Sequence, residues 1–230
     1  MMKITNYGLK VKNNLLQKAK KLLENGVTIL DIEKLEIRGN LECGKEVFIE
    51  TNVIIEGDVF LGDYVTIRSN TIIIDSSVGN HTEVKSNSLI KGSTISEHCV
   101  IGPYSRLRSG TKIADNSQIG TFVEIKKSTI GSDCKINHMA FIGDAILGDD
   151  VIIGAGTITC NHDGHESQQT TIHSGSYIGS NVNLIAPVVI GENATVGAGS
   201  TITKNAPENK LTLSRPKQVT VEGRNKIKSE

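Results

Sequence analysis

Aliphatic side chains recur along this chain at a step of six residues, shortened to five at intervals. The register runs through Ile49, Ile55, Leu61, Ile67 and Ile73, then Val78, Val84 and Ile90, then Ile95, Ile101, Leu107, Ile113, Ile119 and Ile125. It continues through Ile130, Ile136, Ile142, Leu147, Ile153 and Thr159, and after a gap through Ile178, Leu184, Ile190, Val196 and Ile202. A step of six fits neither the strand period of about two nor the helix period of about 3.6. It is the hexapeptide signature of a parallel β-helix, in which three short strands make one coil. At three hexads per coil the pattern predicts roughly eight coils. Glycine follows many ladder residues, as at Gly62, Gly120, Gly154 and Gly179, and is expected to turn corners there.

Before the ladder, Leu15, Leu16, Ala19, Leu22 and Leu23 share one face of an amphipathic helix, and Gly26 is placed to end it. This helix reads as a cap over the open first coil, since an unpaired β-edge invites association. A remnant linker to a lost partner domain is the alternative. The predicted organisation is a helix, linker and cap over residues 1–35, a β-helix over 36–205, and a tail over 206–230. The polar stretch 160–177, CNHDGHESQQTTIHSGSY, reads as a loop projecting from the prism, a common place for function. The fold class is all-β, a parallel β-helix with one short N-terminal helix.

Composition narrows the function classes. The 230 residues carry 25 basic and 25 acidic side chains, which argues against a nucleic-acid or membrane-surface partner. Trp is absent and aromatics are 3%, as a narrow interior of stacked Ile, Val and Leu requires. Cys43, Cys99, Cys134 and Cys160 form no CxxC pair and read as reduced thiols of a cytoplasmic protein. The N-terminus has no apolar run, so no signal peptide or membrane span is expected. His162 and His165 do not make a convincing metal pair, and no metal is expected.

Several segments carry a resemblance. IGPYSRLRSG, FVEIKKSTIG, INHMAFIGDA, IIGAGTITCNHDG and IGSNVNLIAPVVIG, with the SRPKQ tail, resemble the C-terminal acetyltransferase domain of the bifunctional GlmU family of hexapeptide-repeat acyltransferases. The likeness covers nearly the whole chain. The family's uridylyltransferase half has no counterpart in it, so that activity is not carried over. The resemblance implies a left-handed β-helix, a homotrimer with active sites between neighbouring prisms, and acetyl-CoA as co-substrate. It also implies N-acetylation of an amino-sugar phosphate, glucosamine-1-phosphate in the family, with a separate nucleotidyltransferase as a conceivable pathway partner.

Residue by residue, the resemblance makes His138 the catalytic base, and imidazole can take a proton near neutral pH. It makes Arg108 and Lys126 the cations on the sugar phosphate, with Glu124 an acceptor-binding carboxylate. Without it, Glu124 would be read as an ion-pair partner of Lys126. Ala155, Asn161, His162, Ser180, Ala198 and Arg215 fall at acetyl-CoA contacts. Small residues there let the backbone approach the pantetheine arm, a backbone N–H there or the Asn161 amide is a candidate oxyanion donor, and Arg215 suits a CoA phosphate. On the acceptor side this chain departs from the family, with Phe141 where it has Tyr, Ile152 where it has Asn and Ser167 where it has Lys. His162 replaces another Tyr on the donor side. Two alternatives therefore stay open: an N-acetyltransferase for a deoxy or nucleotide-linked amino sugar, and a non-catalytic β-helix scaffold.

Overall fold

The computed structural model describes residues 16–221. Within them the chain winds a left-handed parallel β-helix of about ten turns. Each turn contributes short strands to three faces. The first face stacks strands such as Val100–Ile101, Gln118–Thr121, Lys135–His138, Ile152–Ile153 and Tyr177–Ile178. The second stacks Arg106–Leu107, Glu124–Lys126, Phe141–Gly143 and Ile158–Cys160, and the third stacks Thr111–Ile113, Thr129–Ile130, Ala145–Leu147 and Thr170–Ile172.

All pairing between these stacked strands is parallel, and the ladder residues are in register with themselves: Ile119 meets Ile136, Ile136 meets Ile153, and Ile153 meets Ile178. Each side chain thus packs on its counterpart one turn away, and almost every ladder residue is fully buried. Three interior columns near the corners carry small polar groups instead. Ser117 is typical: its hydroxyl donates to Gly131 O at 2.8 Å and accepts from Cys134 N at 3.0 Å. Replacing Ser117 with alanine leaves both backbone groups unmatched in the interior. That is expected to cost about 1–3 kcal/mol by denaturant unfolding.

The solenoid reaches further than the aliphatic pattern indicated. Thr28–Ile29 already pairs with Phe48–Ile49, and Leu35–Cys43 pairs along nine residues with Val53–Leu61. At the other end Ala206 bridges Ile190, and Leu211–Thr212 pairs with Thr195–Val196. The cap of residues 1–35 therefore contains a strand, and the tail from 206 begins inside the coil. The excursion at 160–177 is also shorter than expected. Thr170–Ile172 is a third-face strand with Ile172 fully buried, which leaves 161–169 as the projecting segment.

The helical residues 16–24 cap the first coil. Ala19 is fully buried and Leu22 packs on the core, whereas Leu23 is exposed and Leu15 lies outside the described residues. Gly26, at φ +88°, ends the helix, and Val27 N bonds back to Leu22 O at 3.1 Å. This is the Schellman arrangement.

Gly102, at φ +95°, turns a corner as expected, but most glycines that follow ladder residues have another reason. Gly154 and Gly179 do not sit at positive φ. Left-handed corner positions are taken by residues such as Asn70, Asn87, Asp133 and Asn181, types that tolerate that region. Gly179 serves close approach instead: a Cβ there would lie 2.5 Å from Ala198 N, the backbone of the next turn.

Candidate active site

The corner between the first and second faces carries His138. Thr121 pairs with His138, and the ladder register carries that column upward to Ala155, Ser180 and Ala198, one residue per turn. The backbone bonds agree: Gly156 N to Met139 O at 3.0 Å, Asn181 N to Ala155 O at 2.7 Å, and Gly199 N to Ser180 O at 2.8 Å. Arg215 ends the column, its Nη2 lying 3.6 Å from where a Cβ on Gly197 would sit. Five of the expected residues thus form one ridge. Its side chains are small above His138, so the ridge is low there. His138 is exposed, and its imidazole has no hydrogen-bond partner among the described residues.

The second face holds the anion-binding candidates. A hollow of about 330 Å3 is lined by Lys91, Arg106, Arg108, Lys126 and Lys127, with Leu89 and Leu107 in its wall. Glu124 stands directly above Arg106 and below Phe141. It accepts from Arg108 Nη1 at 2.9 Å and lies 3.5 Å from Arg106 Nη1. The carboxylate therefore braces two guanidinium groups and is not paired with Lys126. None of the ammonium groups of Lys91, Lys126 and Lys127 has an ion-pair partner among the described residues. Arg106 and Lys91 were not singled out in the sequence. The signal for Arg106 was its alternation with Arg108, which puts both side chains on one outward face.

Three expected residues lie elsewhere in the chain. Ile152 faces outward on the first face, between Lys135 and Tyr177, across the His138 ridge from Glu124 and Phe141. Asn161 and His162 follow the strand Ile158–Cys160, at the opposite edge of the second face from His138. Asn161 is only 8% exposed, and its Nδ2 donates to Asp144 Oδ2. One of the two amide hydrogens is thus held by Asp144, and the other has no partner among the described residues. Single-chain geometry thus assembles a ridge of small residues above His138 and a cationic hollow, with Ile152, Asn161 and His162 apart from both.

The projecting segment is a tight hairpin. His162 and Ser167 form an antiparallel bridge. Asp163 Oδ1 accepts from His165 N at 2.8 Å and Glu166 N at 2.9 Å, and these amides, Glu166 first, hold its carboxyl below the usual range. His162 Nδ1 accepts from Gly164 N at 3.0 Å, which leaves the proton of a neutral ring on Nε2.

Thiol chemistry has little support. Burial raises the thiol of Cys43 to about 12 and those of Cys99 and Cys134 to about 11. Little thiolate exists there at neutral pH. Among the described residues no group of three or more His, Cys, Asp or Glu could hold a metal ion, and no helix is long and apolar enough to cross a membrane.

Comparison with known proteins places the chain. The signature described as bacterial transferase hexapeptide (six repeats) matches residues 92–127 and 169–204. Bifunctional protein GlmU of Ralstonia pickettii is 48% identical over 204 residues, covering 89% of this chain and 45% of that protein. The same protein of Nitrosospira multiformis is 47% identical over 205 residues, with the same coverage of 89% and 45%. The chain therefore spans somewhat less than half the length of these relatives. Among solved structures, the UDP-N-acetylglucosamine acyltransferase of Francisella novicida superposes with a TM-score of 0.56 at 15% identity, over 81% of this chain and 67% of that one. The Campylobacter jejuni enzyme of the same name gives 0.55 at 18% identity, over 79% and 71%. These two establish the coil alone. The matched repeats and the 48% identity to GlmU make the chain a homologue of the C-terminal part of that protein, built on bacterial transferase hexapeptide repeats.

Proposed function

We propose that the chain is an acetyl-CoA-dependent N-acetyltransferase acting on an amino-sugar phosphate, with glucosamine-1-phosphate as the simplest acceptor. The observation that carries this reading is the single ridge of His138, Ala155, Ser180 and Ala198 ending at Arg215. A donor laid along it would have its phosphates at Arg215 and its thioester at His138. The pantetheine amides would run beside backbone that only small side chains leave accessible.

The reaction forms a C–N bond and breaks a C–S bond. His138 takes the proton that the attacking amine must lose, and CoA leaves as the thiol. Arg108 and Lys126 hold the acceptor phosphate, Arg108 with its guanidinium braced by Glu124. Most of the rate would come from holding amine and thioester together and from a proton acceptor at the right place.

One chain does not bring Asn161, His162 and Ile152 to the ridge, which supports a homotrimer in which neighbouring prisms complete the cleft. Acetyl-CoA use and unpaired thiols favour a cytoplasmic location. Uridylyl transfer is not part of the proposal. A second reading keeps the chemistry and changes the acceptor to a nucleotide-linked or deoxy amino sugar. It is favoured by the three cations of the hollow beyond Arg108 and Lys126, and by apolar Phe141 and Ile152.

The direct test is thiol release from acetyl-CoA with glucosamine-1-phosphate and a panel of nucleotide-linked amino sugars. Turnover with an amino-sugar phosphate supports the proposal, and a preferred nucleotide-linked acceptor selects the second reading. No turnover with any amino sugar contradicts both. Arg108→Ala is expected to raise KM for the acceptor by roughly ten- to hundredfold, the worth of a hydrogen bond to a charged group. Affinity for acetyl-CoA should not change.

A further inference from the structure

We infer that Asp144 is a positioning residue for the acetyl donor. It fixes the amide of Asn161 so that the carbonyl oxygen, Oδ1, faces an amide N–H of the pantetheine arm. The inference rests on the acetyltransferase reading above and adds a residue and a bond direction to it.

An asparagine amide can turn by half a rotation at little cost unless a neighbour distinguishes its two ends. Asp144 makes that distinction. An ionised carboxylate only accepts, so it pairs with Nδ2 of Asn161 and would repel Oδ1. Both partners are held in place. Asp144 sits at a corner with φ +48°, its N bonded to Lys126 O at 3.0 Å and its O accepting from Thr170 N at 3.2 Å. Asn161 N bonds to Thr159 O at 2.9 Å, and Gln168 N bonds to Asn161 O at 2.6 Å.

Gly143 supplies the space. A Cβ there would lie 2.8 Å from Phe141 Cε1 and 3.0 Å from Asn161 Nδ2, so ring and amide meet over a residue that has no side chain. With one of its two Nδ2 hydrogens held by Asp144, the amide plane is fixed and Oδ1 is left without a partner among the described residues. Oδ1 accepts hydrogen bonds, and the pantetheine arm is a chain of secondary amides with N–H groups to donate.

The test is calorimetry with acetyl-CoA on the intact chain, with steady-state kinetics alongside, for wild type, Asp144→Ala, Asp144→Asn, Asn161→Ala and the Asp144→Ala/Asn161→Ala pair. Asp144→Ala and Asn161→Ala should each weaken binding about tenfold, with the loss falling on KM for acetyl-CoA and not on kcat. Asp144→Asn should lose less, because an asparagine can meet the Asn161 amide in either orientation. The pair should be no worse than the poorer single variant, since both remove one interaction. A merely structural Asp144 would lower the melting temperature and leave the affinity of the folded protein unchanged, which overturns the inference, as do additive losses in the pair. Wild type that fails to bind acetyl-CoA overturns the acetyltransferase reading itself, and this inference with it.

Discussion

His138→Ala is expected to lower kcat by about 10²- to 10⁴-fold, the range for losing a positioned general base. Affinity for acetyl-CoA and the melting temperature should stay near wild type. The side chain is exposed and bonds to nothing among the described residues, so its removal leaves neither a cavity nor an unmatched polar group. Single-turnover kinetics with saturating donor and acceptor would isolate the chemical step from binding. A variant that turns over at the wild-type rate would remove His138 from the mechanism. A variant that loses donor affinity but not the chemical step would make it a contact residue instead of the base.

Gly179→Ala should damage fold and function together. The added methyl would stand 2.5 Å from Ala198 N and 2.8 Å from Val196 O, both backbone atoms of the next turn. Neither can swing aside as a side-chain tip could, so the two turns must separate at this corner. The bonds at risk are Gly179 N to Val196 O at 2.9 Å and Gly199 N to Ser180 O at 2.8 Å. A cost of about 1–3 kcal/mol is expected by denaturant unfolding, the range for forcing extra atoms into a packed interior. Ser180 and Ala198 would shift with the turns, so acetyl-CoA affinity should fall by more than about tenfold. Loss of stability with unchanged affinity would mean that the donor does not lie along this ridge.

The coil was legible because its period is imposed by geometry. Each turn must place one inward side chain per face, and Ile, Val or Leu at those places leaves a six-step trace that helices and flat strands do not produce. The trace faded wherever a rung was filled by something other than a large aliphatic residue. Cys43 falls on the six-step beat between Ile37 and Ile49, and Ala206 and Thr212 occupy the last turns. Counting aliphatic residues alone therefore undercounted the turns. Ile172 was hidden for a different reason: the polar hairpin before it masked the return of the register.

The site was legible in part. The alignment of His138, Ala155, Ser180 and Ala198 follows from register once the coil is known, since each lies two residues beyond a ladder position. The partner of Glu124 was not legible. Lys126 is nearer in sequence, but Arg106 and Arg108 lie one turn below, and in a solenoid the closest charged neighbour is the one in the adjacent turn. Asp144 escaped notice for the same reason. Its relation to Asn161 spans a full turn, and nothing in the local sequence marks it.

A crystal structure of the protein with CoA tests the central claim most directly. The pantetheine arm should run beside Ala155, Ser180 and Ala198, with the phosphates at Arg215 and the sulfur within reach of the His138 imidazole. CoA bound on another surface, or along the ridge with its sulfur remote from His138, would contradict the account.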